Sequence, residues 1–298
     1  MRNYKRQVLL FFVLQLSLQE VHAKLQPTKA IDEKETAVGK REVKEEKVRQ
    51  NDFAITFYKQ NYLFPLYYTS SPYAQVYQGN TPEDETVKKT EISYQLSFKI
   101  PLWKDIASSH SSLYVAYTQL SFWQAYNKVA FFRSNDFEPE IFCTNEVAWK
   151  LMGDWSINAI NVGAVHASNG FGSSQERVWN RLYVETVVSN PRWMFTLRPW
   201  YVLRDGSYRK FNPDMADHMG YGIATAAYKL SRQVFTLQGH GFIEKRGRYK
   251  TGILSYSFPM TSQLNGFIQV FSGYGQSLIE YNHYTNGVGV GLLLNDLI

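Results

Sequence analysis

From Glu91 onward the chain alternates. In "EISYQLSFKIPLW" Ile92, Tyr94, Leu96, Phe98 and Ile100 occupy one parity, and Ser93, Gln95, Ser97 and Lys99 the other. Successive side chains of a strand point to opposite faces, so period two marks a strand with one apolar and one polar face. The texture recurs in "SSLYVAYTQLSFW", "WSINAINVGAVHA", "VWNRLYVETVV", "RWMFTLRPWYVL", "GYGIATAAYKL", "QVFTLQGHGFI", "GRYKTGILSYSF", "QLNGFIQVFSGY" and "YTNGVGVGLLLNDL". Turn chemistry separates the segments at Ser189-Asn190-Pro191, Lys229 to Arg232, Pro259 to Ser262 and Asn286-Gly287. With "FAITFYK" near residue 55 and "EPEIFCTNEVAW", the pattern predicts twelve strands. Longer connections are expected at 104–111, 126–136 and 205–217.

The polar parity is mostly Ser, Gln, Asn, Gly and Thr rather than charge, as suits the interior of a small closed barrel. Alternation alone does not name the solvent, so a secreted soluble β-protein competes at this point. Composition favours the membrane. The 298 residues include 21 Tyr, 19 Phe and 7 Trp, yet the mean hydropathy is −0.34. Abundant aromatics in a polar chain fit a barrel with aromatic girdles outside and a polar interior. The start of the chain supports export. Arg2, Lys5 and Arg6 precede an apolar run from Val8 to Leu18, and Val21-His22-Ala23 ends it. That is the layout of a cleaved signal peptide, and the run is too short for a spanning helix. A single cysteine, Cys143, excludes an intramolecular disulfide framework.

Residues 24 to 51 carry eight Lys/Arg and six Asp/Glu and read as a solvated leader. The formal charge of +6 falls by two when Arg2, Lys5, Arg6 and Glu20 are set aside. The remaining charges are dispersed, and nothing suggests nucleic acid. The expectation is an all-β chain: a signal peptide over 1–23, a charged leader over 24–51, and a twelve-stranded antiparallel transmembrane β-barrel over 52–298, in a bacterial outer membrane.

Chemistry concentrates in "VGAVHASNGFGSSQERVWNRLY". His166 and Ser168 share a parity with Ala164, Val162 and Ile160, the apolar set, so they face lipid in a barrel. Polar groups are costly there unless paired. Asn169-Gly170 and Gly172-Ser173-Ser174 then turn the chain, and a hairpin brings Asn180 level with His166. Hydroxyl, base and a third group that orients the base is the logic of an activated nucleophile. The same spacing also suits a polar cluster at a barrel rim, and the residues alone leave both readings open.

The ordered motifs "YVAYTQLSFWQ", "NDFEPEIF", "HASNG", "VWNRLY", "RPWYVL", "MGYG" and "QVFSGYGQSLIEYN" before "GVGVGLLLNDL" resemble the outer membrane phospholipase A family, from about Asn51 to the C-terminus. The resemblance implies a twelve-stranded barrel with its active site on the lipid-facing wall. It implies hydrolysis of phospholipid and lysophospholipid acyl esters at sn-1 and sn-2, dependence on Ca2+, membrane phospholipids as substrate, and a homodimer. By the same resemblance Ser168 is the nucleophile, His166 the general base, Asn180 the residue holding the histidine, and the Gly170 N–H an oxyanion donor. The main-chain carbonyl of Phe171 and the side chain at Glu176 fall on calcium-binding positions, and Gln119 on the dimer interface. The chain departs from the family pattern in three places. Phe171 replaces an arginine. Glu176 replaces a serine, and a carboxylate is the harder, stronger calcium ligand. Val129 and Ala130 stand where the partner's hydroxyl ligand is expected.

Two alternatives accompany this reading: a passive porin or adhesin, and a lipid A deacylase. The remaining features are bland. His110, His218, His240 and His283 lack metal-ligand spacing. The seven tryptophans are expected in interfacial belts, Cys143 in a strand, and Asp205, Asp214 and Asp217 in a solvated loop rather than a second calcium site.

Overall fold

The structure, a computed structural model, describes residues 36–39, 55–106, 110–242 and 247–298. The expected signal peptide and most of the charged leader lie outside these residues. Thirteen strands form one sheet: β1 (Thr56–Phe57), β2 (Asn61–Thr69), β3 (Thr90–Lys104), β4 (Ser111–Gln124), β5 (Phe131–Lys150), β6 (Ser156–Ser168), β7 (Val178–Ser189), β8 (Trp193–Leu203), β9 (Gly222–Leu230), β10 (Gln233–His240), β11 (Thr251–Pro259), β12 (Asn265–Tyr274) and β13 (Tyr284–Asn295). Strands β2 to β13 pair antiparallel with their neighbours in sequence, and β13 returns to β2. The sheet is a closed barrel of twelve strands, which leaves no open edge to lipid.

The alternation reads through to the wall. Ser93 and Ser97 are buried in the interior, while Leu96, one parity away, is exposed. Val115, Ile141, Leu197, Leu237, Leu254, Val270 and Val290 form part of the exposed apolar outer surface. Aromatic pairs stack on it, Trp123 on Phe132 and Trp193 on Phe195. Inside, Tyr62, Phe64, Tyr67, Phe122 and Phe267 pack together. They need small neighbours: a Cβ added at Gly289 would lie 2.8 Å from the Phe64 ring.

Charged side chains fill much of the rest of the interior. Glu138 pairs with Lys59 at 2.8 Å and Arg181 at 2.9 Å. Arg198 pairs with Glu185 at 2.7 Å and donates to the Tyr58 hydroxyl at 2.8 Å, and Glu140 accepts from Tyr58 and Tyr183. Toward the opposite mouth Arg133 pairs with Glu91 at 2.8 Å and Glu280 at 3.0 Å, and donates to Tyr77 and Gln276. A cavity of about 470 Å³ is lined by the first of these clusters, including Glu138, Glu140, Arg181 and Arg198.

Two element boundaries differ from expectation. The first barrel strand is Asn61–Thr69, not the segment near residue 55. Pro65 disguised it, because proline cannot donate to a ladder. It sits where the β2–β3 register shifts, between Phe64 and Tyr67. The expected segment supplies only β1, which extends the same edge of β3. Between β1 and β2, Tyr58 and Lys59 reach Glu140 and Glu138. Second, β5 begins at Phe131, inside the stretch expected to be a loop. Arg133 and Asp136 lie in that stretch, and both are buried. A bulge opposite Phe122 and Trp123 leaves Arg133 unpaired in the ladder and turns it inward.

Residues 190–192, 231–232 and 260–264 make short turns at one end, where β3 ends and β4 begins. The other end carries the longer connections, among them 70–89, 169–177, 204–221 and 275–283. The connection 204–221 holds two short helices, α1 (Gly206–Phe211) and α2 (Met215–Met219). At the short-turn end Thr36 to Gly39 are buried rather than solvated. Ala37 donates to the Asn190 carbonyl at 2.8 Å, and Val38 packs with Met194, Ala227 and Val234.

Candidate active site

Strand register builds the site. β6 and β7 pair so that His166 lies directly opposite Asn180 and Ser168 opposite Val178. Directly paired residues have Cβ atoms about 5 Å apart, within reach of one hydrogen bond between side chains. The His166 Nδ1 to Asn180 Oδ1 distance is 2.7 Å. An amide oxygen only accepts, so Nδ1 carries the proton and Nε2 is left with its lone pair. Ser168 follows two residues later on the same outward face. Among the described residues its hydroxyl makes no hydrogen bond. His166, two residues earlier in β6, shares that face.

The opposite face anchors this one. Ala167 and Trp179 alternate with the site residues and are buried, with Val202, Tyr208, Met215, Ala216, Leu278 and Tyr281. Trp179 is 1% exposed and is not the belt residue expected. The parity that sends Asn180 outward sends Trp179 inward. The Arg181 guanidinium lies 4.0 Å from its ring centroid.

The loop after Ser168 is tied by buried Asn169. Its Oδ1 accepts from the Arg177 N–H at 2.9 Å, and its Nδ2 donates to the Gln175 carbonyl at 2.8 Å. Buried Asn212 holds the start of β7, accepting from the Val178 N–H and donating to the Val178 carbonyl, each at 3.0 Å. The sequence marked Asn169 only as part of a turn and did not single out Asn212. The Asn169-Gly170 and Asn212-Pro213 turn signals were the available clues. Gly170 has φ +66°, and an added Cβ would sit 2.9 Å from the Phe137 ring. Its N–H has no acceptor among the described residues, so it is available to an oxyanion. Gly170→Ala is expected to lower kcat at least tenfold, since it sets left-handed strain of about 1–2 kcal/mol on a steric clash. The barrel should persist. Turnover rates beside heat-dependent gel migration, which reports an intact barrel, check this.

Phe171 and Glu176 lie on the same loop. Glu176 is half-buried, and its carboxylate has no partner among the described residues. The Arg177 guanidinium occupies the carbonyls of Ser174 and Glu176. Among the described residues no group of three His, Cys, Asp or Glu is arranged to hold a metal. The donors on this loop are all oxygens, which suits a hard cation such as calcium rather than zinc. They are fewer than the six to eight that calcium takes. Gln119 is on the outer wall of β4, where its Oε1 accepts from Tyr117 at 3.0 Å and its Nε2 donates to Ser121 at 2.9 Å.

Asp205 is not loose in the loop. It accepts from Asn180 Nδ2 at 2.7 Å and caps α1 by accepting from the Tyr208 N–H at 2.9 Å. Asp214 accepts from the Tyr281 hydroxyl. Burial raises the Tyr208 phenol above its ordinary pKa, so it stays neutral where it accepts from the Ala216 N–H.

Comparison with known proteins agrees with this wall. The family model for phospholipase A1 matches residues 38–294. A phospholipase A1 from Klebsiella pneumoniae is 36% identical over 249 residues, 83% of this chain and 84% of the relative. That of Escherichia coli K12 is 34% identical over 249 residues, 83% of each chain. Outer membrane phospholipase A from Escherichia coli superposes with a TM-score of 0.76 at 32% identity, over 84% of this chain and 96% of that one. The Salmonella typhi outer membrane phospholipase dimer with bound calcium gives 0.77 at 31% identity, over 85% and 97%. A twelve-stranded barrel with its His, Ser and Asn on the outside, matched over most of its length, is therefore a member of the phospholipase A1 family, an enzyme of the bacterial outer membrane that hydrolyses phospholipids.

Proposed function

We propose that Ser168, His166 and Asn180 are the catalytic residues and that they cleave phospholipid and lysophospholipid acyl esters, at sn-1 and sn-2, from the lipid side of the barrel. The observation that carries this is the 2.7 Å contact between His166 and Asn180 on an outward face that also bears Ser168. His166 Nε2 takes the Ser168 proton as Oγ attacks the ester carbonyl. Asn180 holds the ring, its Oδ1 accepting the hydrogen bond from Nδ1–H, which stays on the imidazolium. The Gly170 N–H meets the developing oxyanion, an interaction worth about 3–4 kcal/mol per donor in such sites. The imidazolium returns its proton to the departing lysolipid alkoxide. Water, deprotonated by His166, then releases the fatty acid and frees Ser168.

The Phe171 carbonyl and the Glu176 carboxylate would hold Ca2+, with water and a second copy of the chain completing the shell. Bound there, calcium supplies positive charge for the oxyanion. The solved Salmonella typhi relative, a dimer with bound calcium, supports this reading. Gln119 supports the homodimer. Its bonds to Tyr117 and Ser121 use one amide hydrogen and one lone pair. The remaining donor and acceptor face hydrocarbon, where a matching amide on a second copy satisfies them.

Titrating refolded protein with calcium, then chelator, tests the metal. Fatty-acid release from mixed phospholipids should rise with calcium and vanish with chelator. Glu176→Ala should need at least tenfold more calcium for the same rate. Release unaffected by chelator would overturn the calcium assignment and leave the serine chemistry standing.

A further inference from the structure

We infer that Asp205 is a positioning residue of the active site, acting on His166 through Asn180. The inference rests on the serine-hydrolase reading above. Three adjacent strands create the juxtaposition: β6 carries His166, β7 carries Asn180 opposite it, and β8 pairs Leu203 with Asn180 from the other side. Two residues beyond Leu203 the chain leaves the sheet, and Asp205 meets Asn180 there at 2.7 Å.

A primary amide has a donating end and an accepting end of nearly equal shape, and a lone asparagine beside a histidine can present either. Presenting the NH2 would demand a lone pair on Nδ1, put the proton on Nε2, and abolish the base. Asp205 decides the question. Its Oδ1 accepts from the Tyr208 N–H and its Oδ2 from Asn180. Both oxygens are acceptors, so Asn180 turns its NH2 to Asp205 and its oxygen to His166. The carboxylate also polarises the amide, strengthening Oδ1 as the acceptor for a ring that becomes cationic during acylation. The α1 cap fixes the carboxylate in turn. The short helix thus serves the site by holding this side chain.

The test is a cycle of substitutions in the refolded full chain, with calcium, in detergent micelles containing phosphatidylcholine. In Asp205→Asn the new amide caps α1 with its oxygen and turns its NH2 against the NH2 of Asn180. Asp205→Ser caps α1 but is too short to reach. Both residues are good helix caps, so neither change unseats the loop. Each is expected to lower kcat about ten- to a hundredfold, by analogy with the loss of a group that orients a metal-ligating histidine. KM should stay close to wild type. The rate at which a sulfonyl fluoride labels Ser168, read by intact mass, should fall in parallel. Asn180→Asp alone sets carboxylate against carboxylate and should be at least as impaired. Adding Asp205→Asn to it restores a donor facing an acceptor and should recover most of the lost kcat. A purely structural role for Asp205 gives no such recovery.

Wild-type kcat in folded Asp205→Asn and Asp205→Ser, or a double variant no faster than Asn180→Asp, overturns the inference while Ser168-dependent hydrolysis keeps the underlying reading. A folded wild type that neither releases fatty acid nor labels at Ser168 overturns both.

Discussion

Ser168→Ala is expected to leave a folded barrel that releases no measurable fatty acid. Removing the nucleophile from a serine hydrolase costs about a millionfold in kcat, because the base and the oxyanion donors have nothing left to activate. The barrel should not notice. Ser168 is on the outer face, its hydroxyl has no partner among the described residues, and hydrocarbon is a poor environment for an unpaired hydroxyl. Its neighbour Ala167 does the packing, on the inner face. Heat-dependent gel migration should match wild type, and a calcium-saturated fatty-acid assay should read background. Activity surviving in a folded Ser168→Ala protein would mean that another group attacks the ester.

The second large effect concerns stability. Arg133→Ala should destabilise the barrel by about 3–5 kcal/mol, the cost of breaking a buried ion pair from one side. Arg133 is 2% exposed, and Glu91 and Glu280 are each 1% exposed. The guanidinium divides itself between the two carboxylates, Tyr77 and Gln276. Without it two carboxylates face each other inside a closed barrel. Replacing Glu91 and Glu280 with glutamine in the same protein removes the charges and should recover much of the loss. Urea unfolding in detergent, followed by tryptophan fluorescence, measures both. An unchanged midpoint in Arg133→Ala would show that the interior is wet enough to solvate the carboxylates, and would sink the claim that this triad stabilises the mouth.

Much of this was legible in the residues. The barrel follows from alternation, but the interior charges, Glu138, Arg181, Glu185 and Arg198 among them, were missed by reading the polar parity as mostly uncharged. The outward direction of His166 and Ser168 follows from their sharing a parity with Val162 and Ala164, and the hairpin brought Asn180 level. What escaped was non-local or broke the rule that exposed it. Asp205 reaches Asn180 across 25 residues through a strand pairing that no local pattern announces. Arg133 lies in the stretch read as a long connection, and the partners that make it an interior residue lie 42 and 147 positions away. Pro65 argued against a strand because only the neighbouring register shift makes room for it. Trp179 was a failure of consistency. The parity that placed Asn180 outside already placed it inside.

The seam between β2 and β13 bears on how the chain reaches its membrane. Asn61 bonds Asn295 and Gln60 bonds Asp296, across 234 and 236 residues. Contacts of such separation form late, after the entropy of joining the chain's two ends has been met. Until then the sheet has two raw edges, which hydrocarbon does not accept. Sealing and insertion are therefore expected to be coupled. A chain halted before Asn295 lacks these contacts and is expected to stay on the aqueous side, open to proteases.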